Sequence, residues 1–321
     1  MKNYLCIIFL SVISPIKAHH AVDAAYDRNQ LTSITGNVES IFWRNPHVVF
    51  EIIDEEGINW VIESGSINSL MRAGFDRTII QTGDKATFLG APSRRGLNAL
   101  AAFTVNINDT VIPIWPQRAI EIGIEVRDVA RETEVPSSEQ SSNLFKVWSR
   151  SLRLQKLIAT NAFAESFRTQ WDPLADDPAL LCQPPGMPSM MDNPYPIAFE
   201  EYDDHIILRL EEWDSHRVIW MKNNNAINDP KMGLSLGEWD GNKLIIKTNM
   251  IDYPYFDDLG TPLSEEANVI ERFEPNEQYT VLKYSATIYN PEYFDVPATF
   301  EGQWEWVPLE KINRFDCALR Q

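Results

Sequence analysis

Val48-Val49-Phe50-Glu51-Ile52-Ile53-Asp54-Glu55-Glu56-Gly57-Ile58-Asn59-Trp60-Val61-Ile62-Glu63 is the stretch that decides the fold class. Val48, Phe50 and Ile52 share one face of an extended chain, Glu55-Glu56-Gly57 supplies turn residues, and Ile58, Trp60 and Ile62 return with the same alternation. Two period-2 apolar runs around a Gly-containing turn form the pattern of a β-hairpin. The alternation reaches back to Thr35. Forward of it, Ser66 is placed to N-cap a short helix over residues 67–73 that Gly74 ends. Residues 85–89 and 101–107 then read as strands on either side of a turn at Arg94-Arg95-Gly96. Three strands, a helix and two strands is the order of an OB-like barrel, and residues 19–128 are predicted to form one.

Residues 129–143 read as a linker, because Glu132-Thr-Glu-Val-Pro-Ser-Ser-Glu-Gln-Ser-Ser142 is polar, carries Pro and Ser, and lacks aromatics. Residues 144–175 are predicted to be a helical connector: Leu154, Leu157, Ile158, Ala162, Phe163 and Phe167 recur at helical spacing up to Asp172-Pro173. Lys146, Arg150, Arg153 and Lys156 make the start of that segment basic. It reads either as a surface for anionic membrane or partner, or as a segment packed on its own acidic protein. From 176 to 321 the chain turns to strands, with pairs at 206–213 and 218–221, then 236–239 and 243–248 around Asp240-Gly241, and further strands at 269–273, 280–288 and 302–307. Sequential hairpins imply an antiparallel β-barrel or curved sheet. The predicted fold is mainly β, a small OB-like barrel and a larger antiparallel barrel joined by a linker and a helix.

Export is read from residues 1–18, which combine an early Lys2, an apolar run and a close at Ile16-Lys17-Ala18. That is the form of a secretory signal peptide, with an apolar run too short to span a bilayer. The expected location is periplasmic or secreted. With 28 Lys and Arg against 46 Asp and Glu the chain carries −18, and removal of Lys2 and Lys17 takes this to −20. Such a field repels nucleic acid. Cys182 and Cys317 remain after cleavage in a compartment where disulfides persist. A bond between them would stabilise by roughly 4–5 kcal/mol in the chain-entropy model; two buried thiols are the other reading.

Candidate chemistry is sparse. Gly233-Leu234-Ser235-Leu236-Gly237 matches G-x-S-x-G, but a hairpin strand follows where the nucleophile elbow requires a helix, so the match reads as coincidence. His19 and His20 would begin the mature chain, where an α-amine beside an imidazole forms a chelate suited to Cu(II), with His47 as a possible third ligand. A solvated terminus and a hydrogen-bonded His47 are the alternative. Trp213, Trp220, Trp239, Tyr253, Phe256 and Trp304 read either as core or as the lining of an apolar pocket. The acidic pairs Asp203-Asp204, Asp257-Asp258 and Glu265-Glu266 read as solvated surface.

Beginning with mature His19-His20, the chain continues through Tyr26-Asp27, Gly36-Asn37-Val38, the motif Trp43-Arg44-Asn45-Pro46-His47, residues 68–74 (Asn-Ser-Leu-Met-Arg-Ala-Gly) and Gly83-Asp84. In these residues it resembles a family of exported, mostly proteobacterial proteins of unknown function, marked by a His-His start and a Trp-x-Asn-Pro-His turn. The second half resembles a companion region of such proteins in residues 145–149, 182–188, 193–196, 237–241 and 253–262, and in Glu271-Arg272-Phe273 and Asp316-Cys317. Related proteins often carry His where this chain has Leu234 and Leu263. The resemblance implies export and two domains, draws attention to Trp43, Asn45, Pro46, His47 and 253–262, and implies no reaction.

An exported, Trp-dense β chain without a coherent nucleophile, cofactor loop or closed metal set reads as a non-catalytic binding or assembly protein. Its expected partner is a small apolar or aromatic ligand held in the C-terminal β domain, or another exported protein, and it is not expected to span a membrane. The alternative is a copper-binding or copper-dependent protein using His19, His20 and His47.

Overall fold

The structure is a computed structural model that describes Val22 and residues 25–126, 143–172, 175–222 and 226–319. The signal peptide reading, His19, His20 and nearly all of the predicted linker fall outside these residues. In the first half, strand β1 (Thr32–Phe42) pairs antiparallel with both β2 (Val49–Asp54) and β4 (Lys85–Pro92). β3 (Asn59–Glu63) pairs with β2 and, in parallel, with β5 (Ala99–Ile107), which also pairs with β4. Five strands thereby close into a barrel in the order β3-β2-β1-β4-β5, and β6 (Thr110–Pro113) extends β5. Helix α1 (Ile67–Arg72) lies between β3 and β4 in sequence, with the Ser66 hydroxyl accepting from the Ser69 amide as predicted. This is the OB-like arrangement. Phe50, Ile52, Ile62, Phe88 and Val105 pack its core, so the face read from period 2 is the buried one. A second short helix, α2 (Pro116–Glu121), follows β6.

The second half forms a closed barrel of nine strands. These are β7 (Val147–Leu157), β8 (Ile197–Glu201), β9 (His205–Leu210), β10 (Ser215–Trp220), β11 (Leu234–Asp240), β12 (Lys243–Asn249), β13 (Asn268–Pro275), β14 (Val281–Tyr289) and β15 (Ala298–Glu305). A ring with an odd number of strands cannot alternate direction all the way round, and the unavoidable parallel contact falls between β10 and β11. All the other neighbours in the ring are antiparallel, including β15 with β7.

β7 corrects the predicted helical connector. Residues 147–157 form a strand, and helix α3 covers only Ala162–Arg168, capped by Asn161 whose Oδ1 accepts from the Ala164 amide at 3.0 Å. The sequence hides the period of two because two of the positions on the face of Trp148 and Leu154 are charged. Arg150 lies over the Trp304 ring at 4.1 Å, and Lys156 lies over Phe300 and pairs with Asp192. Lys146 sits 5.0 Å from both the Trp148 and Trp306 rings. Of the two readings of these cations, packing on the protein itself is what the structure shows for Lys146, Arg150 and Lys156.

The barrel interior also holds a polar core. Arg217 Nη2 donates to Glu271 Oε2 at 2.5 Å and to Thr248 Oγ1 at 2.5 Å, its Nε donates to Ser235 Oγ at 2.8 Å, and Tyr284 donates to the other Glu271 oxygen at 3.0 Å. Buried charges of this kind persist only when paired and hydrogen-bonded. Ser235 is thus a buried strand residue bonded to Arg217, without the strand-to-helix turn of a nucleophile elbow.

Candidate functional site

A second polar network joins the barrels, and it begins at Asn45. The Asn45 Oδ1 accepts from the Ile67 amide at 2.8 Å at the start of α1, and its Nδ2 donates to Asn68 Oδ1 at 2.9 Å. Asn68 Nδ2 donates to Glu211 Oε1 at 2.9 Å. Arg72 grips both Glu211 oxygens at 2.6 Å and reaches Glu310 at 3.2 Å. Glu211 also accepts from the Asn313 amide at 2.8 Å and is fully buried. Burial acts to lower the Arg72 pKa, but its bonds and attraction to Glu211 and then Glu310 outweigh that and hold it raised. The C-terminal segment closes the arrangement. Asn45 exchanges backbone bonds with Asp316 and Ala318, each at 3.2 Å, and the adjacent Cys317 forms a disulfide with Cys182. That bond is at most a hint of an extracytoplasmic protein.

Beside this junction lies a cavity of about 250 Å³ with walls from both barrels. The N-terminal barrel contributes Tyr26, His47, Glu63 and Trp115, and Val22 lies on the same wall. The C-terminal domain contributes Trp171, Tyr195, Trp213, Tyr253, Asp257 and Asp258 among others. Two of the rings are seated on glycines. A Cβ on Gly186 would lie 2.7 Å from Tyr253, and one on Gly260, which also has φ +74, would lie 2.6 Å from Trp171. Trp213 takes φ 61, a conformation costly for a bulky side chain. It is held by Phe315, whose ring packs 5.2 Å away and whose amide donates to Asp214 at 2.8 Å. The Trp171 indole N–H has no acceptor among the described residues.

The cavity phenols stay protonated. Burial, followed by the Glu63 charge, pushes Tyr26 up; burial and then Asp177 do the same for Tyr253, and burial leads the upward shift of Tyr195. Asp257 is also pushed up, first by burial and then by Asp258, while Lys156 and hydrogen bonds from Thr261 and Leu259 oppose this. Asp257 departs from the expected solvated surface: it is buried, and its Oδ1 accepts from the Leu259 and Thr261 amides at 3.0 and 3.1 Å. Burial works to lower Lys156, but Asp192, Asp258 and Asp257 outweigh it and its pKa is raised.

At the N-terminal wall, His47 Nδ1 lies 2.9 Å from the Ser64 carbonyl oxygen. That oxygen can only accept, so Nδ1 carries the proton. Nε2 then faces Glu63 Oε1 at 3.5 Å, and the other Glu63 oxygen accepts from the Tyr26 hydroxyl at 3.0 Å. Trp115 packs 5.1 Å from the imidazole.

The residues singled out in the sequence scatter over three environments. Trp213, Tyr253, Pro46 and His47 line the cavity. Trp304 and Phe256 are core residues of the second barrel, and Trp43 packs against Phe75 in the first. Trp239 is 44% exposed, and Trp220 packs on His205 and donates to the Ala226 carbonyl, so neither lies at the cavity. The aromatics expected to share one pocket inside the C-terminal domain are therefore not together, and the cavity borders that domain instead. Sequence reading missed Tyr26, Glu63, Trp115, Trp171 and Tyr195. The segments quoted for the resemblance include two of them, Tyr26 in Tyr26-Asp27 and Tyr195 in residues 193–196, without assigning either to a site. Among the described residues no three His, Cys, Asp or Glu side chains converge as a metal group, and no helix is long and apolar enough to cross a membrane.

The fold and site define a two-barrel β protein with an aromatic-walled cavity at the junction. Residues 8–101 match a family model described as "Family of unknown function (DUF6152)". The match covers under a third of the chain and makes the N-terminal barrel region similar to that family. No curated protein matches the chain.

Proposed function

We propose that the protein is an exported, non-catalytic binding protein whose site is the cavity between the barrels, and that its ligand is a small molecule with an apolar or aromatic body and a hydrogen-bond acceptor. One observation carries this reading: rings from both barrels, Trp115, Trp171, Tyr195, Trp213 and Tyr253, converge on one concave space. Aromatic walls with a few oriented polar groups are the usual make-up of a small-molecule site, and a volume of about 250 Å³ lies just below the roughly 300–1,000 Å³ of drug-sized pockets. The Tyr253 phenol at the cavity wall, held protonated by burial and then by Asp177, supplies a donor for the acceptor. Holding Trp213 at φ 61 costs on the order of 1–3 kcal/mol, and the packing of Phe315 on its ring keeps the indole at the cavity.

The test is native mass spectrometry of the protein purified from its exported compartment, repeated for Trp213→Ala and Tyr253→Ala. A small-molecule adduct on the wild type that is lost or reduced at least tenfold in both variants is the expected result. A wild-type chain that carries no adduct and shows no thermal shift with a panel of small aromatic compounds overturns the proposal.

A further inference from the structure

We infer that His47 and Glu63 are two protein ligands of a divalent late first-row metal ion, bound in the cavity wall with its remaining positions open to solvent or to further donors. The inference rests on the geometry of these two side chains and not on the cavity's taking an organic ligand.

The pair has an unusual construction. With the Nδ1 proton committed to the Ser64 carbonyl at 2.9 Å, a neutral His47 presents its Nε2 lone pair to a carboxylate oxygen 3.5 Å away. Two acceptors facing one another repel unless a cation lies between them. A proton is one such cation, making an imidazolium; a metal ion is the other, and the surroundings suit it. A metal-binding imidazole characteristically donates its second N–H to a carbonyl, and a metal-binding carboxylate is characteristically hydrogen-bonded through its other oxygen. Here Ser64 and the Tyr26 hydroxyl, 3.0 Å from Glu63 Oε2, do both.

The spacing fits as well. An ion about 2.1 Å from each donor sees atoms 3.5 Å apart at an angle of about 110°, close to tetrahedral. Imidazole with carboxylate is a donor set for Zn(II) and its neighbours rather than for Ca(II) or Mg(II). The His47 side chain is 31% exposed and that of Glu63 21%, so the ion has a route in.

The experiment uses the mature chain with its own N-terminus, Zn²⁺ for affinity by isothermal titration and Co²⁺ for its visible spectrum. The expected result is binding of one ion per chain, with affinity falling at least tenfold in His47→Gln and, separately, in the near-isosteric Glu63→Gln, unchanged in His216→Gln, and a tetrahedral Co²⁺ spectrum absent from His47→Gln. Affinity should also fall as pH is lowered, because the proton competes for Nε2. Thermal melts of both variants establish that they are folded. Full affinity in folded Glu63→Gln and His47→Gln, with loss only on replacing His19 and His20, shows a terminal chelate alone and overturns the inference. So does the absence of stoichiometric binding in the wild type.

Discussion

Asp257 shows how one side chain at the cavity couples ionisation to folding. Its carboxyl is pushed above its ordinary value by burial and by Asp258, whereas in the unfolded chain it titrates near about 3.9. Between those two values the folded protein holds more protons than the unfolded one, so this group's contribution falls as pH rises. It is fully favourable below about pH 4 and is lost as pH climbs through the folded value. Asp257→Asn keeps an oxygen to accept from the Leu259 and Thr261 amides but does not titrate. The denaturation midpoint of the variant, measured against pH from 4 upward, is expected to decline less than that of the wild type; parallel curves count against the assignment. At this scale the sequence is a partial guide. The Trp43-to-His47 motif is contiguous in sequence, yet Trp43 goes to a core, Asn45 to the junction and His47 to the cavity wall. A motif states that side chains are needed together and leaves open which neighbours they meet, and Glu63, the partner of His47, looks in sequence like any strand-end carboxylate.

Among the elements, β2 of the first barrel is legible because it alternates an apolar core face with a more polar one, whereas β5 is buried on both faces over residues 100–105. β7 is not legible, since Arg150 and Lys156 occupy inward positions that a period-2 reading assigns to apolar residues. With those positions discounted, the remaining Leu154, Leu157, Ile158, Ala162, Phe163 and Phe167 imitate a helix. Leu157, Phe163 and Phe167 are in fact largely exposed. The C-terminal segment is an element of another kind, held by backbone bonds at Asn45, by the Phe315 contacts with Trp213 and Tyr195, and by the bond from Cys317 to Cys182 across 135 residues. Closing so long a loop limits the unfolded chain by about 4–5 kcal/mol in the entropy model. Replacing both cysteines by Ser is expected to lower the melting temperature and, in native-state hydrogen exchange, to raise the exchange of residues 313–318 before that of the barrel strands. Unchanged exchange there shows that the noncovalent contacts suffice to hold the segment. Trp213 makes this element matter for the cavity, because the Phe315 ring packs on the ring of this positive-φ residue.

Across the whole molecule, the cavity is the feature least legible in sequence, for its walls come from residues more than 100 positions apart and no local period records such a meeting. What fixes the walls relative to one another is the buried junction of Asn68, Arg72 and Glu211. The Glu211 carboxylate is fully buried, so removing Arg72 leaves its charge with only neutral donors, Asn68 and the Asn313 amide. Breaking a buried pair from one side costs about 3–5 kcal/mol, and the partial exposure of Arg72 puts this case near the lower end. Each barrel has its own apolar core, so that loss falls on the coupling between them and not on either core. Arg72→Ala is therefore expected to turn one cooperative unfolding transition into two, with a van't Hoff enthalpy well below the calorimetric one. Arg72→Ala paired with Glu211→Gln, which removes the stranded charge, should recover part of the lost stability but not the lost coupling. A single transition with matching enthalpies in Arg72→Ala means that the disulfide and the segment around Cys317 couple the barrels by themselves.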